Sequence, residues 1–262
     1  MRYLHVISIG LRERFAYRIR FFASLFGAIL NLIVLWFVWN SIFAASGVDS
    51  INGFTLPVML TYLVISSCLR PLTFSDIEYI FQDDVISGAI CTDMTKPISY
   101  PIFRSLKGFS NVLMNALTNS MPIFLVSILI LNISLPVNPL AFALSVVLGF
   151  FVDYLLAFLT GMWVFWSSGR VWGLRLSRQI IAEILSGALI PLYFFPQWLS
   201  NITSFLPFQT LFHIPISIYL GKIADFDILY SIGVQLFWIA LLGSICYLVW
   251  KKAERKVIVH GG

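Results

Sequence analysis

Apolar residues in this chain gather into long blocks, and six can be drawn: Phe21 to Ala44, Phe54 to Phe74, Phe109 to Leu131, Pro139 to Trp166, Ile180 to Phe195 and Ile228 to Trp250. A block of about 20 apolar residues wound as an α-helix crosses the roughly 30 Å hydrocarbon layer of a bilayer. The pattern therefore predicts an all-α integral membrane protein with six transmembrane helices. The fifth block is short for a crossing and ends beside prolines. Ahead of the first block, Met1 to Arg20 sets Leu4, Ile7, Leu11, Phe15 and Ile19 at three- and four-residue spacing among five arginines. That spacing describes an amphipathic helix lying in the membrane interface, or a charged flank that orients the first span. Between the last two blocks, Pro196 to Gly221 is mostly apolar but punctuated by Pro196, Pro207 and Pro215. Pieces of that length suit two re-entrant half-helices dipping back from the outer face, acting as an outer gate or as an amphipathic cap.

Composition points the same way. Hydrophobic residues make up 59% of the 262 and charged residues 11%, against roughly a quarter charged in soluble domains. Of the 17 Lys and Arg, 16 fall in or around alternate segments outside the blocks, with Arg70 near the inner end of the second block; the exception is Lys222. The positive-inside bias makes those segments cytoplasmic, which puts both termini there and favours an even number of spans. A basic inner surface facing anionic lipid accounts for the net charge of +5 without nucleic acid. Residues 21–262 then form one transmembrane domain, with a cytoplasmic linker at 75–107 and an extracytoplasmic segment at 196–221. The linker, 33 residues long, is below the roughly 50 that an independent domain needs. Cys68, Cys91 and Cys246 fall at or near the cytoplasmic face, where thiols stay reduced, so neither a disulfide nor a metal site is expected.

Candidate chemistry is sparse. The chain has no G-x-x-x-x-G-K-[ST], H-E-x-x-H or G-x-S-x-G, and His5, His213 and His260 are scattered. No enzymatic role and no resident cofactor are expected. The informative residues are polar ones inside apolar blocks, since a carboxylate at the bilayer centre costs roughly 2.5 to 3.5 kcal/mol even on insertion scales. Asp153 lies near the middle of the fourth block, and Glu183 lies just inside the fifth. Asn115 and Asn119, following Asn111, recur every four residues of the third block and so share a helix face. Asn31 is central in the first block. These residues form either a polar track or proton site along a transport path, or interhelical hydrogen bonds.

The linker reads SDIEYIFQDDVISGAICTDMTKPISYPIFRSLKGFSN, with Asp83 and Asp84, then Gly88, then the pair Lys96 and Pro97 ahead of the third span. Together with LPFQTLFHIPISIYLGK before the last span, it resembles permease subunits of the ABC type-2 exporter family. The resemblance implies a coupling helix near Ile77 to Ala89 that docks on a separate ATPase subunit, which would carry the ATP and Mg. It also implies dimerisation with itself or a homologue in the plasma membrane. The second and fifth spans would line a path for a hydrophobic or amphiphilic substrate, with Leu63, Ser67, Leu189 and Tyr193 as candidates. The competing readings are an ion-coupled secondary transporter using Asp153 and a non-catalytic membrane assembly protein. The topology has a direct test. A membrane-impermeant thiol reagent is expected to label Cys91, in the linker, from the cytoplasmic side of inverted vesicles; labelling of intact cells would overturn the arrangement.

Overall fold

In hydrocarbon every peptide group needs a partner within the protein, and apolar runs meet that demand as helices. The computed structural model describes residues 18–73, 77–95, 99–131, 133–167 and 171–260. It begins with α1 (Arg18–Ser46) and a short hairpin, β1 (Ser50–Ile51) paired antiparallel with β2 (Phe54–Thr55). Its two-residue turn is Asn52-Gly53, both at positive φ (49° and 73°), as a type I′ turn requires. Helix α2 (Leu56–Thr73) follows, then two short linker helices, α3 (Ile77–Ile86) and α4 (Ala89–Met94). The corner between them is Gly88, at φ 73°, a left-handed conformation that glycine adopts without steric cost.

From Tyr100 to Leu131 the chain is helical throughout: α5 (Tyr100–Asn115), a π-helical turn at Ala116–Ser120, and α6 (Met121–Leu131). Helix α7 (Pro139–Met162) runs into a 3₁₀ turn at Trp163–Phe165. Then come α8 (Trp172–Leu185), a 3₁₀ turn at Leu192–Phe194, α9 (Gln197–Ser204), a 3₁₀ turn at Pro207–Thr210, and α10 (His213–Tyr219). The last element, α11 (Asp225–His260), has 36 residues and so is about 54 Å long, well beyond the hydrocarbon thickness.

Among the described residues, four stretches are long and apolar enough to cross a membrane: Ile29–Ser46, Leu56–Ile86, Pro139–Phe165 and Phe226–Arg255. They overlie the first, second, fourth and sixth predicted spans. The third predicted span lies within the Tyr100 to Leu131 run. The fifth, Ile180 to Phe195, is not a continuous helix. Helix α8 starts earlier, stops at Leu185, and gives way to a break where Gly187 takes φ 84°. Pro191, which lacks an N–H and whose ring clashes with a preceding helical turn, keeps α8 from continuing through this point. Most of the predicted interfacial helix at 1–20 lies outside the described residues. The segment 196–221 holds the two short helices α9 and α10.

Helix α7 packs against α3, α10 and α11. Half of its apolar window is buried, against 61% for the Leu56–Ile86 stretch, 17% for that in α11 and 11% for that in α1. Two glycines let other elements reach its backbone. A Cβ on Gly149 would stand 2.8 Å from the Thr210 carbonyl, and one on Gly161 would stand 2.6 Å from the Phe81 ring and 3.2 Å from the Glu78 Cα. Gly149 is about 15 Å along α7 from Pro139, so the turn between α9 and α10 sits deep beside that helix. The fully buried Gln235 of α11 fixes it there, donating to the carbonyls of Ser145 and Thr210 at 3.0 Å each. One apolar cluster, including Met59, Leu63, Val152, Leu211 and Ile216, fills the hairpin half. A second, including Ile77, Phe81, Tyr100, Phe158, Met162 and Trp250, fills the linker end.

The close approach at Gly161 has a measurable consequence. Gly161→Ala is expected to push α3 away from α7 and lower stability by about 1–3 kcal/mol. Gly243→Ala, on an open face of α11, should be neutral or stabilise by about 0.5–1 kcal/mol. Unfolding midpoints of the two variants in the same detergent check the contrast.

Candidate functional site

Helix α3 is amphipathic in an unusual sense, because its buried face carries acids. Ile77, Glu78, Phe81 and Asp84 point inward, while Asp83 and Ile86 are exposed. Phe81 meets Phe158 edge-on, with centroids 4.8 Å apart. This ring contact sets α3 against α7, and the two inward carboxylates are each answered by an arginine from elsewhere in the chain.

The first arginine is Arg178, on α8. Its Nε donates to Glu78 Oε1 at 2.7 Å and its Nη1 to Asp153 Oδ1 at 2.6 Å. Both carboxylates are fully buried and Arg178 is 6% exposed. The Thr160 hydroxyl also reaches Glu78 Oε1, at 3.2 Å. One guanidinium thus joins α3, α7 and α8. The forked, permanently charged side chain suits the task, since its donors diverge in one plane.

The second is Arg104, on α5. Its Nη2 pairs with Asp93 Oδ2 at 2.8 Å and with the Asp84 carboxylate, to which the Tyr100 hydroxyl also donates. The Tyr100 ring stacks on Trp250 of α11 at 5.2 Å, so this clamp ties α3 and α4 to α5 and, through the aromatic pair, to α11. Two further contacts hold the linker to the start of α8. The Val171 N–H donates to Gln82 Oε1 at 2.9 Å, and the Arg175 guanidinium lies 4.6 Å from the Tyr79 ring centroid.

Charge pairs in a dry site resist separation, because removing one partner strands the other in low dielectric. The linker helices therefore cannot shift while leaving α5, α7 and α8 behind. What they leave exposed is a small surface of Asp83, Ile86, Ser87, Gly88, Cys91 and Thr92, with Ile86 71% exposed.

The structure separates the sequence candidates. Asp83 is exposed and Asp84 is buried against Arg104, so two adjacent aspartates have different surroundings. Gly88 forms the exposed corner; Lys96 and Pro97 lie outside the described residues. Asp153 is bound to Arg178. Glu183 pairs with Arg70 at 2.9 Å, with both side chains partly exposed. The Asn115 amide donates to the Pro71 carbonyl at 3.2 Å, near the end of α2, where carbonyls lack helical partners. Asn119 lies half-buried in the π-helical turn, whose larger number of residues per turn takes it out of the α-helical register assumed for Asn115 and Asn119. Asn31 is exposed on α1.

Of the path candidates, Leu63 packs in the core at 2% exposure, Ser67 is half-buried, and Leu189 and Tyr193 are exposed. The residues of α2 that reach the fifth element are the neighbouring stripe Tyr62, Ser66 and Arg70, four residues apart. The Tyr62 hydroxyl donates to the Gly187 carbonyl at 2.7 Å and the Ser66 hydroxyl to the Ala188 carbonyl at 2.6 Å.

Sequence reasoning missed Glu78, Arg178, Arg104 and Asp93, and counted the two arginines only as inner-side charge. A signal was present. A carboxylate in mid-span, as at Asp153, demands a cation, and Arg175, Arg178 and Ala182 recur on one face of α8 whose opposite face is apolar.

The double pairing predicts a graded response. Arg178→Met leaves two carboxylates buried without their cation and is expected to cost about 3–5 kcal/mol, seen as lost folded protein in detergent. Adding Glu78→Gln and Asp153→Asn to that variant should recover most of the yield. A triple variant no better than Arg178→Met would show that the charges do not interact as described.

A family model described as ABC-2 family transporter protein matches residues 29–261, a range that takes in both arginine clamps, the hairpin and every element from late α1 to α11. No curated protein matches the chain. The match spans most of the length and agrees with the resemblance carried by the linker. The chain belongs to the ABC-2 transporter family, as a multi-pass membrane permease component.

Proposed function

We propose that this chain is the permease subunit of an ATP-driven exporter in the plasma membrane. It works as a pair, with itself or a homologue, and takes its energy from a separate ATPase subunit that docks on α3 and α4. The observation that carries this reading is the joint built at the linker. Two buried arginines bind α3 and α4 rigidly to α5, α7 and α8, while the opposite side of the same two helices presents Asp83, Ile86, Ser87 and Gly88. A motor pressing on that surface moves the core because the clamps do not yield.

In this reading the linker end is cytoplasmic and the hairpin faces outward. The broken fifth element, held to α2, borders the path, and Leu189 and Tyr193 with their apolar neighbours suit a hydrophobic or amphiphilic cargo. An ion-coupled carrier would require Asp153 to take up and release a proton. Its carboxylate is instead held by Arg178 at 2.6 Å, and the coupling reading uses that bond as a mechanical tie.

Purification of the chain with the products of neighbouring genes tests the reading. A soluble P-loop ATPase should accompany it, with turnover that responds to the permease; its absence would overturn the ATP-driven assignment. Asp83→Lys and Ile86→Asp, on the exposed side, should weaken docking by about 2 kcal/mol, a factor of roughly 30, and leave the unfolding midpoint unchanged. Asp84→Lys should instead lose the fold, because it sets a second cation against Arg104. ATPase stimulation unaffected by the first two substitutions would place the docking surface elsewhere.

A further inference from the structure

Helix α8 ends at Leu185, and the next three carbonyls have no helical partner. Each is met by a donor from a different place. The Ser186 carbonyl accepts from the His213 N–H at 3.0 Å, the Gly187 carbonyl from the Tyr62 hydroxyl at 2.7 Å, and the Ala188 carbonyl from the Ser66 hydroxyl at 2.6 Å. Unpaired carbonyls away from water are costly, so an interruption furnished this completely is a formed structure and not a frayed end. Gly187 is required there twice over. Its φ is 84°, and a Cβ would stand 2.8 Å from the Tyr62 hydroxyl.

The two sides of the break are fastened to different elements. Before it, the chain is tied to the linker by Val171 to Gln82, Arg175 to Tyr79 and Arg178 to Glu78, and to α7 by Arg178 to Asp153. After it, the chain is tied to the hairpin and α10. The Tyr193 carbonyl accepts from the Asn52 amide at 3.2 Å, and the Tyr193 hydroxyl lies 3.3 Å from Ser217 Oγ. One tie between α2 and α8 lies below the break, Arg70 to Glu183, and it is partly exposed, so water can take its place during motion.

We propose that the segment 186–188 is a swivel, and that Tyr62 and Ser66 are its positioning residues: they hold the non-helical backbone in place while α8 tilts with the linker and α7, and the residues just beyond the break, tied to the hairpin through Tyr193, stay with it. The division of motion rests on the coupling role proposed above; the swivel rests on the geometry of the break.

The test reads two distances by double electron–electron resonance in nanodiscs. Cys68→Ala, Cys91→Ser and Cys246→Ala clear the background. One spin-label pair, Ser177→Cys with Lys252→Cys, reports on α8 against α11. The other, Ser50→Cys with Gln197→Cys, reports on the hairpin against α9. In the chain alone, Arg178→Met combined with Glu78→Gln and Asp153→Asn, which leaves no buried charge unpaired, releases α8 from the linker and from α7. The first distance should shift or broaden by several ångströms while the second keeps its width. Adding Tyr62→Phe and Ser66→Ala should make the second distance follow the first, and Ser66→Thr in place of Ser66→Ala, which keeps a hydroxyl, should restore most of the separation. A purely structural role would lower the unfolding midpoint of the double variant without transferring motion across the break. Both pairs moving together when Tyr62 and Ser66 are intact, neither pair moving, or a double variant whose second distance stays still, each overturns the swivel. In a complex with the ATPase, nucleotide should move the first pair alone. Nucleotide that moves neither pair overturns the coupling role and leaves the swivel to be judged by the chain alone.

Discussion

Arg178 joins α3, α7 and α8 through a single side chain. Its guanidinium cannot shed its proton, and the two carboxylates it serves, Glu78 and Asp153, are fully buried. Any rearrangement that separated them would leave charge unpaired in low dielectric, so the three helices they come from share one motion. Arg104 repeats the device with Asp84 and Asp93. Apolar packing alone would let α3 slide on α7, since hydrophobic contact is non-directional. The ion pairs supply the direction, and Gly161 supplies the closeness.

The hairpin end is held differently, largely by neutral donors. Lys222 is the charged member there, with its ammonium 3.9 Å from the Phe54 ring centroid and donating to the Gly53 carbonyl at 2.8 Å. Partial burial lowers its pKa from the ordinary lysine value. Gln235, the Asn52 side chain and the Tyr193 and Tyr219 hydroxyls are among the neutral groups there. Such bonds contribute about 0.5–1.5 kcal/mol each, and the exposed one from Asn52 can exchange with water. The molecule thus has a stiff end where force would enter and a more yielding end where a path would open.

Much of this plan was legible in the sequence, and the limits have physical causes. Block length identifies the apolar helices because bilayer thickness sets their length. It does not show where such a helix is interrupted, and Ile180 to Phe195 reads as one apolar block although Gly187 and Pro191 break it. Nor does it show which way an almost uniformly apolar helix faces. The path candidates Leu63 and Ser67 were each one residue, about 100° of rotation, from Tyr62 and Ser66, which make the contacts. Asp83 and Asp84 differ in the same way, one open and one clamped. The Asn52-Gly53 hairpin was readable in principle, since Asn-Gly between apolar residues is a strong turn signal, but it lies at a block boundary, with its turn just outside the second predicted span and its second strand, Phe54–Thr55, inside it.

The π-helical turn at Ala116–Ser120 has one more consequence. A turn of that kind is equivalent to one residue inserted into an α-helix, and one residue rotates everything downstream by about 100°. Beyond it, Ile123 is buried in a cluster with Val64 and Cys68 of α2, and Ser127, one turn later, is buried as well. That stripe faces inward because of the extra residue. The turn acts as a phase setting between two halves of one rod: α5 is oriented by Arg104 toward the linker, α6 independently toward α2, and a relative lacking the insertion would need a different inward stripe on one half or the other.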